Sequence, residues 1–136
     1  MQKCIYILFV FGLVLSCDLE DSKNYVWHTK EVTATAYNSL AYQTNEQPSI
    51  TAFGDTLTPG MKCIAVSRDL LRLGLKHNTL VTIEGLDGVF LVKDKMHHRW
   101  KNRIDIYMGK DVRKAKKWGK KKLNIEYCIQ AKDSLH

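Results

Sequence analysis

The chain has 136 residues and a formal net charge of +7 at pH 7, with 21 Lys and Arg against 14 Asp and Glu. This length leaves room for one domain with one hydrophobic core rather than for several. The basic balance favours an anionic partner, which is nucleic acid, an anionic membrane surface or an anionic wall polymer.

The N-terminus has the layout of a secretory signal peptide. Lys3 is followed by an apolar run from Ile5 to Leu15, which is shorter than the roughly 20 residues that a membrane-spanning helix needs. The run ends in "VLSC", which resembles a bacterial lipobox. We therefore predict a lipoprotein signal peptide over residues 1–16 with Cys17 as the lipidated residue. A cleaved signal or an anchor helix with an incidental cysteine is the alternative.

Residues 17–30 are polar and lack periodicity, which predicts a tether between the lipid and a domain over residues 31–131. The expected location is the cell envelope, with the lipid in the outer membrane or on the periplasmic face. Removal of the leader lowers the net charge from +7 to +6, because Lys3 is its single charged residue. Outside the cytoplasm, a membrane surface or a wall polymer is the more plausible anionic partner.

Two of the four cysteines fall in the predicted domain, namely Cys63 and Cys128. An oxidising compartment permits a disulfide between them, but two buried thiols fit the sequence equally well. The chain has no CxxC pair and no His/Cys spacing typical of a structural zinc site. We expect neither a metal nor another cofactor.

The first half of the domain predicts a strand, a long loop, a strand and a helical turn. Residues 31–37 alternate and are rich in β-branched side chains, whereas residues 38–61 are rich in turn-forming residues. A loop of this length in a small domain is often functional. Residues 62–66 predict a short buried strand, and Ser67 can cap a helical turn that ends at Gly74.

The second half predicts three more strands and a second helix. Residues 78–94 predict two strands joined by a tight turn with Gly and Asp, and residues 102–108 alternate with Asp105 opposite the apolar face. Residues 110–118 predict a helix that ends at Gly119, and residues 121–130 a closing strand. Six short strands and two small helices favour a closed barrel, because closure removes exposed strand edges.

Two aspartates, Asp94 and Asp105, lie eleven residues apart at either side of a basic, His-rich loop. Regular alternation places Asp94 on one face with Phe90 and Val92, where an unpaired carboxylate is costly, so we expect a partner for it there. The alternative is structural: Asp94 caps a turn, and Asp105 pairs with Arg103 or Arg99.

The segments "TATAY", "GDTLTPGMKCIAVS", "GLDGVFLVKD", "NRIDIYMG" and "AKKWG" resemble, in order, the landmarks of the 3D domain family, which is named for three aspartates. The resemblance covers residues 31–130. It implies a mainly β fold, a six-stranded double-psi β-barrel with two short helices. It also implies binding of peptidoglycan glycan strands and their cleavage by lytic transglycosylation, which leaves 1,6-anhydro ends.

The resemblance carries over to two of the three aspartates. Asp94 and Asp105 match the second and third, which implies that Asp105 is the general acid/base and that Asp94, on a neighbouring strand, raises its pKa or orients it. Ser67 stands at the first aspartate's position, with Asp69 two residues further on. The family's "TGG" after the second aspartate is replaced by "KMHHRWK".

Further residues are candidates for substrate binding. These are Tyr37, Thr51, Phe53, Gly54, Ser67, Lys95, His97 and Arg103. His97 and His98 with Trp100 form either a sugar-stacking platform or a solvated loop, and Tyr37 is equally compatible with core packing. The eight basic residues from Lys110 to Lys122 form a solvated helix face or a contact for an anionic polymer or lipid.

Three functions remain open from the sequence. The first is a lytic transglycosylase, the second a non-catalytic lipoprotein that binds peptidoglycan or another polysaccharide, and the third an expansin-like loosening protein. A monomer is favoured. Nucleic acid is not expected as a partner, because aromatic residues that would stack on bases are sparse among the basic residues.

Overall fold

The computed structural model describes residues 24–39 and 50–131. The predicted signal peptide, Cys17, the first part of the tether and residues 40–49 of the long loop lie outside this range.

The described chain consists mainly of strands, as the sequence predicted, with two short helices. The strands are β1 (Tyr25–Tyr37), β2 (Cys63–Val66), β3 (Leu80–Ile83), β4 (Leu86–Lys95), β5 (Arg103–Tyr107) and β6 (Lys121–Gln130). The helices are α1 (Arg68–Arg72) and α2 (Val112–Trp118). None of the helices in the described ranges has the length and apolar character needed to cross a bilayer.

The six strands form a closed barrel in the order β1-β5-β2-β4-β3-β6. Two neighbouring pairs are parallel, β1 with β5 and β2 with β4, and the other four are antiparallel. Every strand therefore has a hydrogen-bonded neighbour on both sides, which leaves no open sheet edge.

Four chain connections pass an intervening strand, and two of them, from β1 to β2 and from β4 to β5, define the topology. β5 lies between the antiparallel strands β1 and β2, and β2 lies between the antiparallel strands β4 and β5. Each crossing is a psi motif, and the two interlock because β2 and β5 take part in both. The predicted double-psi β-barrel is confirmed.

The barrel interior is filled by apolar side chains from alternate strand positions. Ile64 and Val66 of β2 face inward and meet their register partners Ile106 and Ile104 of β5. All four side chains are essentially inaccessible to solvent. The remaining strands, α1 and the turn after α1 also contribute to this core. Examples are Val32, Val81, Val92, Ile125, Leu70 and Leu75.

β1 is longer than the sequence predicted. Residues 25–30, which we assigned to the tether, form the first part of β1 and pair with the last part of β6. The alternation of apolar and polar residues that marks a strand is absent here, because the outward side chains Tyr25 and Trp27 are large aromatic residues exposed to solvent. The predicted boundary between residues 30 and 31 therefore falls inside β1.

The helix ends follow the predicted positions with one difference. Asp111 caps α2 by accepting a hydrogen bond from the Lys114 N–H at 3.0 Å, and Gly119 ends the helix with φ of 68°. Ser67 precedes α1, but its side chain makes no capping hydrogen bond. Its hydroxyl instead accepts from the Arg103 N–H at 3.0 Å, so it joins α1 to β5.

Candidate functional site

An extra residue in β4 decides where Asp94 points. Val92 lies opposite Ile64, but the next pair is Asp94 with Ala65, so Lys93 forms a β-bulge. A bulge of one residue shifts the side-chain alternation, which moves Asp94 to the outer wall while Phe90 and Val92 stay in the core. Our prediction that Asp94 shares a face with Phe90 and Val92 was wrong for this reason.

Asp94 and Asp105 flank the same residue on the outer wall. Ala65 of β2 is the register partner of Asp94 on one side and of Asp105 on the other. The aspartates are therefore not on neighbouring strands, as predicted, but on the two strands that enclose β2. Two strand spacings separate their Cα atoms by about 10 Å, and the residue between them, Ala65, is small and buried.

Asp105 is largely buried and accepts a hydrogen bond from a side chain of β1. Thr35, its register partner, donates its hydroxyl hydrogen bond to Asp105 Oδ1 at 3.1 Å. Burial raises the pKa of Asp105 from 3.8 to about 6, and the Asp94 carboxylate adds to that shift. The Thr35 hydrogen bond and the charge of Arg103 oppose it. Asp105 therefore keeps its proton in a mildly acidic medium, as a general acid requires.

Asp94 sits in a pocket of backbone donors. Its Oδ1 accepts from the N–H groups of Ala52 and Lys95, each at 2.8 Å. Burial raises the pKa of Asp94 above its ordinary value. These two hydrogen bonds and the Lys95 ammonium oppose the shift without reversing it. The peptide donors favour the ionised form, so Asp94 is suited to act as the charged neighbour of Asp105.

Two tyrosines form the wall beside the carboxyl groups. Tyr37 and Tyr107 are register partners with ring centroids 5.5 Å apart, and they pack on Leu57 and Cys63. The Tyr37 hydroxyl is buried and has no hydrogen-bond partner within the described ranges. Burial, with Cys63, Asp94 and Asp105 nearby, raises the pKa of Tyr37 far above its ordinary value. Tyr37 is thus a neutral donor beside both aspartates.

Residues 51–54, which include the predicted candidates Thr51, Phe53 and Gly54, reach Asp94 through a backbone N–H. Thr51 is buried and closes a turn: its N–H donates to the Asp55 carbonyl at 2.8 Å, and its carbonyl accepts from the Gly54 N–H at 2.9 Å. Gly54 has φ of 85°, which a residue with a side chain adopts only with strain. The turn places the Ala52 N–H against Asp94, and residue 52 was not among our candidates.

A cluster of charged side chains that the sequence did not reveal fixes this turn to the barrel. Asp55 Oδ1 lies 3.3 Å from the ammonium of Lys93, the bulged residue, and Asp55 Oδ2 contacts His77 Nε2. Lys93 also donates to Asn78 Oδ1 at 2.6 Å. The members lie in three separate chain segments without a common motif, so only the folded chain brings them together.

Phe53 lies between two polar side chains near Asp94. Its ring centroid is 4.9 Å from that of His77, and the Lys95 ammonium lies 5.8 Å from its centre. Phe53 and Lys95, both predicted to bind substrate, are therefore adjacent to Asp94. His77, which we did not predict, extends this surface.

The predicted candidates Ser67 and Arg103 lie two residues along β2 and β5 from the pair Ala65 and Asp105, and a hydrogen bond joins them. Ser67 is fully buried, so its side chain has no surface to offer a substrate. Burial alone would raise the pKa of Asp69, but hydrogen bonds from Ser67 and from backbone amides lower it. Asp69 accepts from the Asn102 N–H at 2.8 Å, so it supports the start of β5 and does not join Asp94 and Asp105.

Cationic side chains cover the Trp100 ring in the loop between β4 and β5. The guanidinium carbons of Arg103 and Arg99 lie 4.0 Å and 4.8 Å from the centre of the Trp100 ring, so cations occupy the ring surface. His97 and His98 are exposed and lie 4.1 Å apart, centroid to centroid. Within the described chain no ion pair joins Asp105 to Arg103 or Arg99, whereas Asp94 accepts backbone hydrogen bonds as the structural alternative expects.

Neither covalent cross-links nor metal ligands are evident in the described parts of the chain. Cys63 and Cys128 are free thiols on β2 and β6, which are not neighbours in the barrel. Burial raises the pKa of Cys63 to about 11, so this thiol is not a ready nucleophile. No group of three or more His, Cys, Asp or Glu in residues 24–39 and 50–131 is arranged to hold a metal ion.

Comparison with known proteins finds little likeness in sequence. No family model and no curated protein matches the chain. Among solved structures, the crystal structure of an apo expansin of Clavibacter michiganensis matches with 19% identity and a TM-score of 0.45. The match covers 76% of this chain and 52% of the expansin, so the chain spans about half the length of that protein.

Proposed function

We propose that this protein is an exported, lipid-anchored lytic transglycosylase that acts on peptidoglycan glycan strands. The observation that carries the proposal is the placement of Asp94 and Asp105 on either side of Ala65, on one outer wall. The ordered resemblance of five segments to the 3D domain supports the substrate class. The apolar leader followed by "VLSC" supports the lipid anchor.

The proposed chemistry uses one carboxyl group twice. Protonated Asp105 gives its proton to the glycosidic oxygen, and the bond from that oxygen to C1 of the muramic acid breaks. The 6-hydroxyl of the same sugar then attacks C1, and its proton goes to the Asp105 carboxylate. The products are a free 4-hydroxyl on one fragment and a 1,6-anhydro ring on the other, and Asp105 is protonated again without a water molecule being consumed.

The neighbouring groups stabilise the charges in this sequence of steps. Asp94 remains ionised and disfavours early loss of the Asp105 proton, and it faces the positive charge that develops at C1. The Thr35 hydroxyl orients Asp105. The buried Tyr37 hydroxyl is a neutral neighbour of both carboxyl groups, and Phe53 with His77 offers a ring surface to the next saccharide.

Digestion of purified peptidoglycan tests the proposal. The full-length protein should release muropeptides that are one water lighter than the products of a hydrolase, as read by mass spectrometry. Release of hydrated ends would replace the mechanism by hydrolysis, and tight binding to insoluble peptidoglycan without soluble product would favour a binding protein.

The rate of this reaction should depend on the protonation of Asp105. Because burial raises its pKa to about 6, the acid form is lost as the pH rises above that value. We expect the rate of muropeptide release to fall about tenfold per pH unit above the pKa. The Asp94→Asn variant should move this limb to lower pH, since the Asp94 charge helps to raise the pKa of Asp105. A rate that stays constant from mildly acidic to mildly alkaline pH would contradict the assignment.

A non-catalytic polysaccharide-binding lipoprotein is the second candidate, and two features of the site favour it. The turn that carries Ala52 already supplies a donor to Asp94, and Ser67 stands where the 3D family has its first aspartate. A wall-binding protein needs the groove and its rings but not the proton on Asp105. The digestion experiment separates the two functions.

A further inference from the structure

The positive charge of this protein is concentrated in one short segment. Residues 110–122 contain eight of the 21 Lys and Arg and one of the 14 Asp and Glu. The rest of the chain therefore has thirteen basic and thirteen acidic residues, and the net charge of +7 belongs to this segment alone. We call its cationic side chains the basic surface; they are Lys110, Arg113, Lys114, Lys116, Lys117, Lys120, Lys121 and Lys122.

The fold turns these side chains outward. Ala115 and Trp118 of α2 pack against the barrel core, and the eight basic residues are all exposed. The single acidic residue, Asp111, is engaged in capping the helix. In the part of the chain that the structure describes, none of the eight forms an ion pair, and Lys121 instead lies 3.8 Å from the centre of the Trp118 ring.

Repulsion between the like charges on α2 destabilises the free protein, which indicates that these charges serve a partner. Arg113 and Lys117 are four residues apart on α2, and Lys114 and Lys117 are three apart, so like charges face each other along the helix. A short helix gains nothing from such pairs in the free protein. A polyanion bound across them would replace the repulsion by attraction.

The basic surface lies beside the second half of β1, far along the strand from its first residue, Tyr25. Lys121 is paired with Ala34 in the second half of β1, about 30 Å along the strand from Tyr25, at a rise of about 3.3 Å per residue. Lys122 and Arg103 flank Thr33, so the basic surface also borders the carboxyl groove. A chain held on the basic surface would pass beside Asp105.

We propose that the basic surface binds a linear anionic polysaccharide of the cell envelope and holds it beside the groove. Lysine, which makes up seven of the eight cations, is a hydrated point charge that suits loose, salt-sensitive contact with a flexible polymer. A bilayer is a poorer fit, because the apolar side of α2 is turned to the barrel and cannot enter lipid. Nucleic acid is a poorer fit because Trp118, the one aromatic residue among residues 110–122, packs against the core and is covered by Lys121.

Binding to polygalacturonate, with uncharged dextran as the reference polymer, tests this proposal on the full-length chain. A variant with Lys116, Lys117 and Lys120 changed to Gln should bind polygalacturonate at least about tenfold more weakly at low salt, with a shallower dependence on salt concentration. A matched variant with Lys30, Arg72 and Lys101 changed to Gln loses the same charge elsewhere and should bind within about twofold of wild type.

Equal binding by the two triple variants would overturn the proposal, as would equal binding of the wild type to dextran. Tighter binding to phosphatidylglycerol vesicles or to a short DNA duplex than to polygalacturonate would also overturn it, in favour of a membrane or a nucleic acid. Thermal unfolding of both variants reports whether each is folded. Because release of muropeptides by either variant is measured separately, failure of this proposal is distinguishable from failure of the transglycosylase.

Discussion

Asp105→Asn should lower the release of anhydro-muropeptides by about 10²–10⁴-fold, the usual contribution of a general acid. The amide has the same shape and can still accept from Thr35, but it has no proton to give to the glycosidic oxygen. Mass spectrometry of the soluble fraction, with wild type and variant at equal concentration, gives the comparison. Full activity of the variant would remove Asp105 from the mechanism.

Two controls separate chemistry from folding in this experiment. Asp111→Asn makes the same chemical change outside the groove and keeps a good helix cap, so its activity should equal that of wild type. Asp105→Asn itself should not destabilise the fold. In wild type the pKa of Asp105 is about 6 when folded and 3.8 otherwise, so ionisation destabilises the native state above that range, by up to about 3 kcal/mol. The variant should therefore be more stable than wild type at pH 7 and equally stable below pH 3.8.

Ile64→Ala should lower the free energy of unfolding by about 2–5 kcal/mol, because it leaves a cavity in the barrel interior. Ile64 is fully buried and lies opposite Ile106 of β5 and Val92 of β4, the two strands that carry the aspartates. The loss should appear as a lower midpoint in guanidinium chloride with an unchanged slope.

Val89→Ala provides the matched comparison for Ile64→Ala. Val89 lies on β4, but 47% of its surface is exposed, so its truncation should cost no more than about 0.5 kcal/mol. A similar loss for both variants would contradict the assignment of inner and outer faces on which the carboxyl site depends.

Much of the fold could be predicted because local patterns decide it. The alternation in residues 31–37 predicted a strand there, and the alternation in residues 102–108 placed Asp105 on the face opposite to Ile104 and Ile106, as the structure has it. Gly119 marks the end of α2 as expected, whereas the cap at Asp111 was not predicted. The hairpin was also found, although its turn consists only of Glu84 and Gly85 between the paired residues Ile83 and Leu86.

The parts that could not be predicted depend on partners distant in the chain. Residues 25–30 have large side chains on both faces, and only pairing with β6 makes them a strand. The bulge at Lys93 has no signature in the strand itself, since Asp55, which holds its ammonium, comes from the long loop. The separation of the two aspartates by β2 follows from a chain crossing that periodicity cannot reveal.

The bulge in β4 also restricts how this protein can diverge. Outward residues such as Val89 tolerate substitution, but a single insertion or deletion between Phe90 and Asp94 would exchange the solvent side and the core side of the strand for everything after it. In homologues, the number of residues over this stretch should therefore be more constant than their identity. An alignment with a gap there would match Asp94 to a residue that does not face the same side of the strand.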